Sequence, residues 1–194
     1  MIISKFCRKI PTAILALSSC VLALHATVPN GWHLAGSKPM DFEVAVDASH
    51  GYQGHASATL ACKQTCADGF GTLMQSILAD DYEGQKVRLS GFVKANDVTG
   101  WSGLWLRVDK GKDVIALDNM QDRAIKGTQD WQRYDVVLEV PAQATGISFG
   151  IILNGGGKVS LSNTNLEVVG SDVPVTAHPF TKVQAKPVNM DFSE

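Results

Sequence analysis

Neither charge dominates this 194-residue chain: 17 Lys and Arg face 19 Asp and Glu, for a net charge of -2. A basic stripe able to follow a phosphate backbone is therefore missing, and nucleic acid is excluded as a partner. Aromatic residues make up only 7% of the chain, so each one weighs heavily in the search for a core or a stacking surface. The signatures of common catalytic machinery are also missing. There is no Gly-x-Ser-x-Gly elbow, no His-Glu-x-x-His pair and no phosphate-binding P-loop, so the chain does not read as an enzyme and calls for no cofactor. Paired carboxylates, Asp80 with Asp81 and Asp118 with Asp122, are the material a glycosidase would need, but acidic residues beside turns are far more often solvated. A long apolar stripe at helical spacing is lacking as well, which excludes a helix bundle.

What is present begins with a leader. Lys5, Arg8 and Lys9 precede a mostly apolar run from Ile10 to Ala26 that ends in small residues, the layout of a secretory signal peptide over 1–26. Leu17-Ser18-Ser19-Cys20 offers an alternative, a lipobox whose Cys20 would carry a lipid anchor, although Val21 to Leu24 stays apolar beyond it. The run is short for a spanning helix, so no membrane span is expected in the mature chain. Export, to the periplasm or beyond, is the expected destination. Cleavage after Ala26 leaves 194 minus 26, or 168 residues, enough for one sizeable core.

Strand-like segments then recur: 42–46, 56–61, 71–77, 86–95, 103–108, 113–117, 132–140, 146–153 and 158–169, the last with a break near Asn163. Gly, Asn, Asp and Pro clusters separate them. Within 86–95, Val87, Leu89, Gly91 and Val93 alternate with Lys86, Arg88, Ser90, Phe92 and Lys94, and Tyr134, Val136, Leu138 and Val140 alternate with Arg133, Asp135, Val137 and Glu139 in the same way. The expected fold is all-β, a β-sandwich of two antiparallel sheets over 27–170, followed by an extended tail over 171–194.

Two of the four cysteines, Cys7 and Cys20, fall in the leader, leaving Cys62 and Cys66. In an oxidising compartment they read as a disulfide clipping a short loop; free thiols, or a metal site completed by His50 and His55, are the alternatives. The constellation with the most binding chemistry is Trp101 and Trp105 with Arg107 and Asp109, followed by Asp118, Asn119, Gln121, Asp122 and Arg123. An indole plate beside a guanidinium, carboxylates and amides suits a sugar, whose C–H face stacks while its hydroxyls take hydrogen bonds. The same residues also suit a structural network in which Arg107 and Arg123 pair with Asp118 and Asp122. If Trp105 belongs to a binding face, it is exposed and its removal spares the fold; if it belongs to the core, its removal leaves a cavity.

Asp130-Trp131-Gln132-Arg133-Tyr134 through Val140-Pro141, Ile147-Ser148-Phe149-Gly150 and the Gly-rich turn to Val159 resemble carbohydrate-binding modules of the family 4/9 kind. Gly31-Trp32-His33-Leu34-Ala35-Gly36, Gly69-Phe70-Gly71-Thr72-Leu73-Met74-Gln75 and Asp118-Asn119-Met120-Gln121-Asp122-Arg123 resemble a largely uncharacterised bacterial set with the same fold. The resemblance spans Gly31 to Gly170 and implies a galactose-binding-domain-like jelly roll with a carbohydrate or glycan as its ligand. A structural or protein-interaction sandwich is the alternative. Where such modules carry an Asp-Asp pair before the last strand, this chain has Ser160-Leu161-Ser162-Asn163, a departure at the position where some jelly rolls hold calcium. Mass spectrometry of the protein recovered from its native cell is expected to show the leader removed; an intact chain beginning at Met1 would contradict export.

Overall fold

A computed structural model describes residues 28–177 and Met190. The leader with Cys7 and Cys20, and most of the tail beyond Ala177, lie outside the described residues. Nine strands follow one another: β1 (His33–Gly36), β2 (Phe42–Asp47), β3 (Ser57–Cys62), β4 (Phe70–Leu78), β5 (Lys86–Lys110), β6 (Asp113–Asp118), β7 (Ile125–Glu139), β8 (Gly146–Asn154) and β9 (Lys158–Val169). All the pairings are antiparallel, and short 3-10 turns are the only helical pieces among the described residues.

The sandwich is organised by β5. Its first half pairs with β9 and β7, and its second half pairs with β8 and β6. One sheet therefore runs β1-β4-β8-β5-β6 and the other β2-β3-β9-β5-β7, both passing through the same strand. The two stretches 86–95 and 103–108, which look like separate strands in the sequence, are joined because the residues between them stay hydrogen-bonded while the register slips. The shifts fall between Val93 and Ala95, Ala95 and Val98, and Val98 and Ser102, with Asp97 in the left-handed region at φ 53°. Bulges of this kind let a strand leave one sheet and enter another. The Asp97 bend is held from β7, where Thr128 accepts the Asp97 N–H through Oγ1 and donates its hydroxyl to Oδ1.

The triple glycine after Asn154 serves the same bend. A Cβ at Gly157 would sit 2.4 Å from the Asp97 carbonyl oxygen, and Gly157 adopts φ 98°. No other residue type lets the β8–β9 turn lie so close to the crossing strand.

Alternation then fills the space between the sheets. Leu34, Leu73, Ile151 and Leu104 lie side by side across one sheet, and Val44, Leu60, Val159 and Ala95 across the other. Most of these side chains are buried, with Leu60, Leu104, Ile151, Ala95 and Val159 fully so, and each large one contributes roughly 1.5–3 kcal/mol by leaving water. The expected core face of 86–95 is the observed one, since Val87, Leu89 and Val93 are fully buried.

Several strand bounds shift by a residue from the sequence expectation, and three features call for a physical reason. Strand β1 is too short to show alternation, and β7 starts at Ile125 because the irregular middle of β5 offers it partners at Val98 and Ser102. The break near Asn163 is a bulge: Asn163 takes φ 51°, and β9 skips register between its partners Ser90 and Phe92.

After β9 the chain straps the β6–β7 side of the sandwich. Lys86 Nζ donates to the carbonyls of Ser171 and Val173. Thr176 then caps the edge of β7, donating its N–H to the Val137 carbonyl and accepting the Val137 N–H at Oγ1. Covering an edge in this way blocks pairing with another chain.

Cys62 and Cys66 are bonded to each other, with their Cα atoms 6.0 Å apart. Intact mass with and without reductant is expected to differ by two hydrogens, and two alkylatable thiols in the unreduced protein would contradict the bond. Because the closed loop is short, its loss is expected to destabilise the fold by about 1–3 kcal/mol in a denaturant titration.

Candidate functional site

The face of the β1-β4-β8-β5-β6 sheet that turns away from the core carries a groove of about 410 Å³. Register places its residues. Leu104, Leu106 and Val108 point inward, so Trp105 and Arg107 point outward, beside Gly150 and Ser148 on β8. Phe70, Thr72 and Met74 on β4 rise on the far side, and Val114, Leu117 and Asn119 form the opposite wall.

Trp105 is the floor. It is only 8% exposed, and its indole Nε1 donates to Thr72 Oγ1 at 2.8 Å, while that hydroxyl donates onward to the Ile151 carbonyl at 2.9 Å. The ring is thereby fixed against the sheet with its only polar atom satisfied, leaving an apolar plate. Its register partner Gly150 lets β4 come close: a Cβ there would fall 2.1 Å from the Leu73 carbonyl oxygen. Gly103, two residues earlier, lies under the Asn119–Met120 backbone, where a Cβ would meet the Asn119 oxygen at 3.0 Å.

Arg107 brings the one charged side chain of the lining. Its Nε and Nη2 donate to Asp109 Oδ2 at 3.1 and 3.0 Å. The Asn119 side chain accepts the Gln121 N–H through Oδ1, which turns its amide group in a fixed direction at the rim.

The other residues of the expected constellation sit elsewhere. Trp101, half-buried, lies four residues before Trp105 on β5, is paired with Asn154 at the end of β8, and does not line the groove. The Asp118 side chain is 4% exposed and is taken up by Arg123, whose Nη2 and Nη1 reach its two oxygens at 2.7 and 3.2 Å, by the Met120 N–H and by the Thr176 hydroxyl. Asp122 holds Arg123 from the solvent side at 3.0 Å. Burial works against the charge on Arg123, but the hydrogen bonds and charge of Asp118, with Asp122 behind, outweigh it and raise its pKa. This network locks the turn carrying Gln121 onto the strap, so the structural reading of Arg123 with Asp118 and Asp122 is the observed arrangement, whereas Trp105, Arg107 and Asn119 meet at the groove.

Phe70, Thr72 and Met74 were not expected at the site from chemistry alone. Their signal in the sequence was alternation along 70–75 opposite the core residues Gly71 and Leu73, but a face can be read from one strand only when its neighbours are known. A larger hollow of about 640 Å³ lies at the end of the sandwich near Lys86, Glu139 and Ser171, but its lysine is already committed to the strap carbonyls. The histidines considered for metal are apart from Cys62 and Cys66: His50 bonds Asp47 at 2.9 Å. That bond and the Ser49 and His50 N–H groups lower the pKa of Asp47, the Ser49 N–H contributing most. Among the described residues, no group of three or more His, Cys, Asp or Glu is placed to hold a metal ion, and no helix is long and apolar enough to cross a membrane.

No protein-family model matches the chain. A curated protein of Bacillus subtilis (strain 168), named an uncharacterized HTH-type transcriptional regulator YbfP, is 40% identical over 167 residues, covering 84% of this chain. The chain spans only 57% of that relative's length. Among solved structures, the enzymatically active domain of bacteriophage CBA120 tailspike protein 4 is similar at a TM-score of 0.57 and 14% identity, over 74% of this chain and 20% of that one. The CBM22-1 xylan-binding domain of Paenibacillus barcinonensis Xyn10C is similar at 0.52 and 18%, over 72% of this chain and 86% of that one. The CBM22-1-GH10 modules of Clostridium thermocellum Xyn10B give 0.53 and 15%, over 72% of this chain and 26% of that one. These likenesses show the jelly-roll β-sandwich fold. The modules among them are named for family 22, and the resemblance holds at the level of the jelly-roll fold they share.

Of the two alternatives for Trp105, the structure has the largely buried one: the ring is packed into the sheet face, and the little surface it keeps lies in the groove floor. Trp105→Ala is expected to lower stability by about 3–5 kcal/mol through the cavity and the lost indole bond to Thr72, read by denaturant unfolding. A loss below about 1 kcal/mol would show that the ring is not held as described.

Proposed function

We propose that this chain is an exported, non-catalytic module that binds a carbohydrate in the groove over Trp105. The observation that carries the reading is the pinned indole: an apolar plate, polar edge satisfied, set in the outer face of a sheet with Phe70 beside it and Arg107 and Asn119 at its rim. A sugar ring presents an apolar C–H face and a fringe of hydroxyls, and this is the complementary surface. The fold shared with xylan-binding modules supports the reading without naming the sugar.

Export rests on the leader and is supported by the Cys62–Cys66 bond, a chemistry of oxidising compartments. A non-catalytic role is supported by the fate of the acidic pairs. Asp118 and Asp122 are both bound by Arg123, and Asp80 and Asp81 sit together on an exposed turn away from the groove.

A second reading follows from the Bacillus relative. A domain 40% identical to this one forms part of a longer protein named as a transcriptional regulator, which fits ligand sensing better than attachment to a polymer. Both readings place the ligand in the same groove. A purely structural or protein-interaction domain would leave the groove without a small ligand.

A glycan array probed with the mature protein tests the proposal. Phe70→Ala and Arg107→Ala are each expected to weaken the strongest signal by roughly tenfold while leaving the melting temperature nearly unchanged, since both side chains are only partly buried. Binding that survives both substitutions would place the ligand elsewhere, and no binding by the folded protein would favour the structural alternative.

A further inference from the structure

We infer that the groove selects uncharged glycans over acidic ones, and that Asp109 sets this preference by neutralising Arg107. The inference rests on the carbohydrate reading and adds the class of sugar.

Arg107 is the sole charged residue among those lining the groove, and its side chain is 38% exposed, so by itself it would draw uronates, sulfates or sialic acids. It does not act by itself. Asp109 lies on the same outward face two residues on, its side chain only 16% exposed, and takes the Nε–Nη2 edge of the guanidinium. One of the two edges through which a guanidinium can make paired hydrogen bonds to a carboxylate is therefore occupied, and the charge that would attract an acid is balanced by the adjacent carboxylate.

The surroundings add to the effect. Beyond the Asn119 rim, Asp118, Asp122 and Arg123 carry two negative charges and one positive. On that side an anionic ligand would therefore find the lining cation compensated and no further unpaired cation. Its carboxylate would lose water in exchange for a donor whose charge Asp109 already balances, a penalty that works against the acidic sugar specifically. The remainder of the floor and walls, Trp105, Phe70, Met74, Leu117 and Ile152, offers surface for apolar ring faces. A neutral sugar uses that surface, and Arg107 held by Asp109 remains a donor to hydroxyls.

Asp109 is thus a positioning residue, acting through Arg107. Its test is a change of preference. Calorimetry with neutral β-1,4-linked hexasaccharides (gluco-, xylo- and manno-) and with the β-1,4-mannuronate hexamer is expected to show at least one neutral ligand bound roughly tenfold or more tighter than the uronate. Asp109→Asn, nearly isosteric, frees the guanidinium and should raise uronate affinity roughly tenfold, with the gain lost at high salt. Val114→Lys leaves the pair untouched and shows that a cation in this groove is sensed by the ligand, because Val114 lines the groove and is 47% exposed. It too should raise uronate binding in a salt-sensitive way. Uronate bound by the wild type as tightly as the neutral sugars would overturn the inference while leaving the carbohydrate reading standing. So would an unchanged preference in Asp109→Asn. A folded wild type that binds none of these sugars would take down the carbohydrate reading and this inference with it.

Discussion

The hydrogen bonding of β5 to four different strands is the constraint on which the rest of the molecule depends. One half of this strand holds β7 and β9, the other half holds β6 and β8, and the bend at Asp97 turns the chain from one sheet to the other without leaving backbone groups unpaired over a long stretch. The cost of the bend is carried locally, by a left-handed Asp97, by Thr128 bonding it twice, and by the glycines of the β8–β9 turn that let a second backbone lie against it. Because Trp105 and Arg107 lie just beyond that bend, the turn into the second sheet also decides which of their faces meets solvent. A one-residue change in the slip would put Leu104 and Leu106 outside and Trp105 in the core.

The groove is therefore an extension of the core's own packing. Leu104 and Leu106 are fully buried on one face of the strand, and Trp105 is pinned to the other face through Thr72 and the Ile151 carbonyl. A plate fixed in this way loses little conformational freedom when a ligand stacks on it, which is how preorganisation adds to affinity. The Asp118–Arg123–Thr176 network serves the same end from the side: it ties the wall that carries Leu117 and Asn119 to the strap and, through Val137, to the edge of the other sheet.

Much of this was legible in the sequence because alternation along 86–95, 103–108 and 146–153 separates buried from outward residues by simple parity. The fold class, the core faces of those segments and the placing of Arg107 beside Trp105 all follow from that parity. What could not be read was adjacency between strands. Phe70 and Met74 join the site only because β4 lies next to β8, and β8 next to β5, a neighbour order that no local pattern encodes. The roles within the Asp118 to Arg123 cluster were hidden for a similar reason. Whether Arg123 faces a ligand or Asp118 depends on a turn with Met120 in the left-handed region and on Thr176, more than fifty positions away.

The central claim, that the ligand site is the face built on Trp105, is tested most directly by amide and indole chemical-shift mapping of the isotope-labelled protein during titration with the best ligand from a glycan array. Perturbations are expected to concentrate at the Trp105 indole N–H, Phe70, Arg107 and Asn119, and to leave the strand ends near Lys86 and Glu139 unmoved. Shifts confined to that end of the sandwich, or to the Tyr52–Phe92 stack on the other sheet, would contradict it.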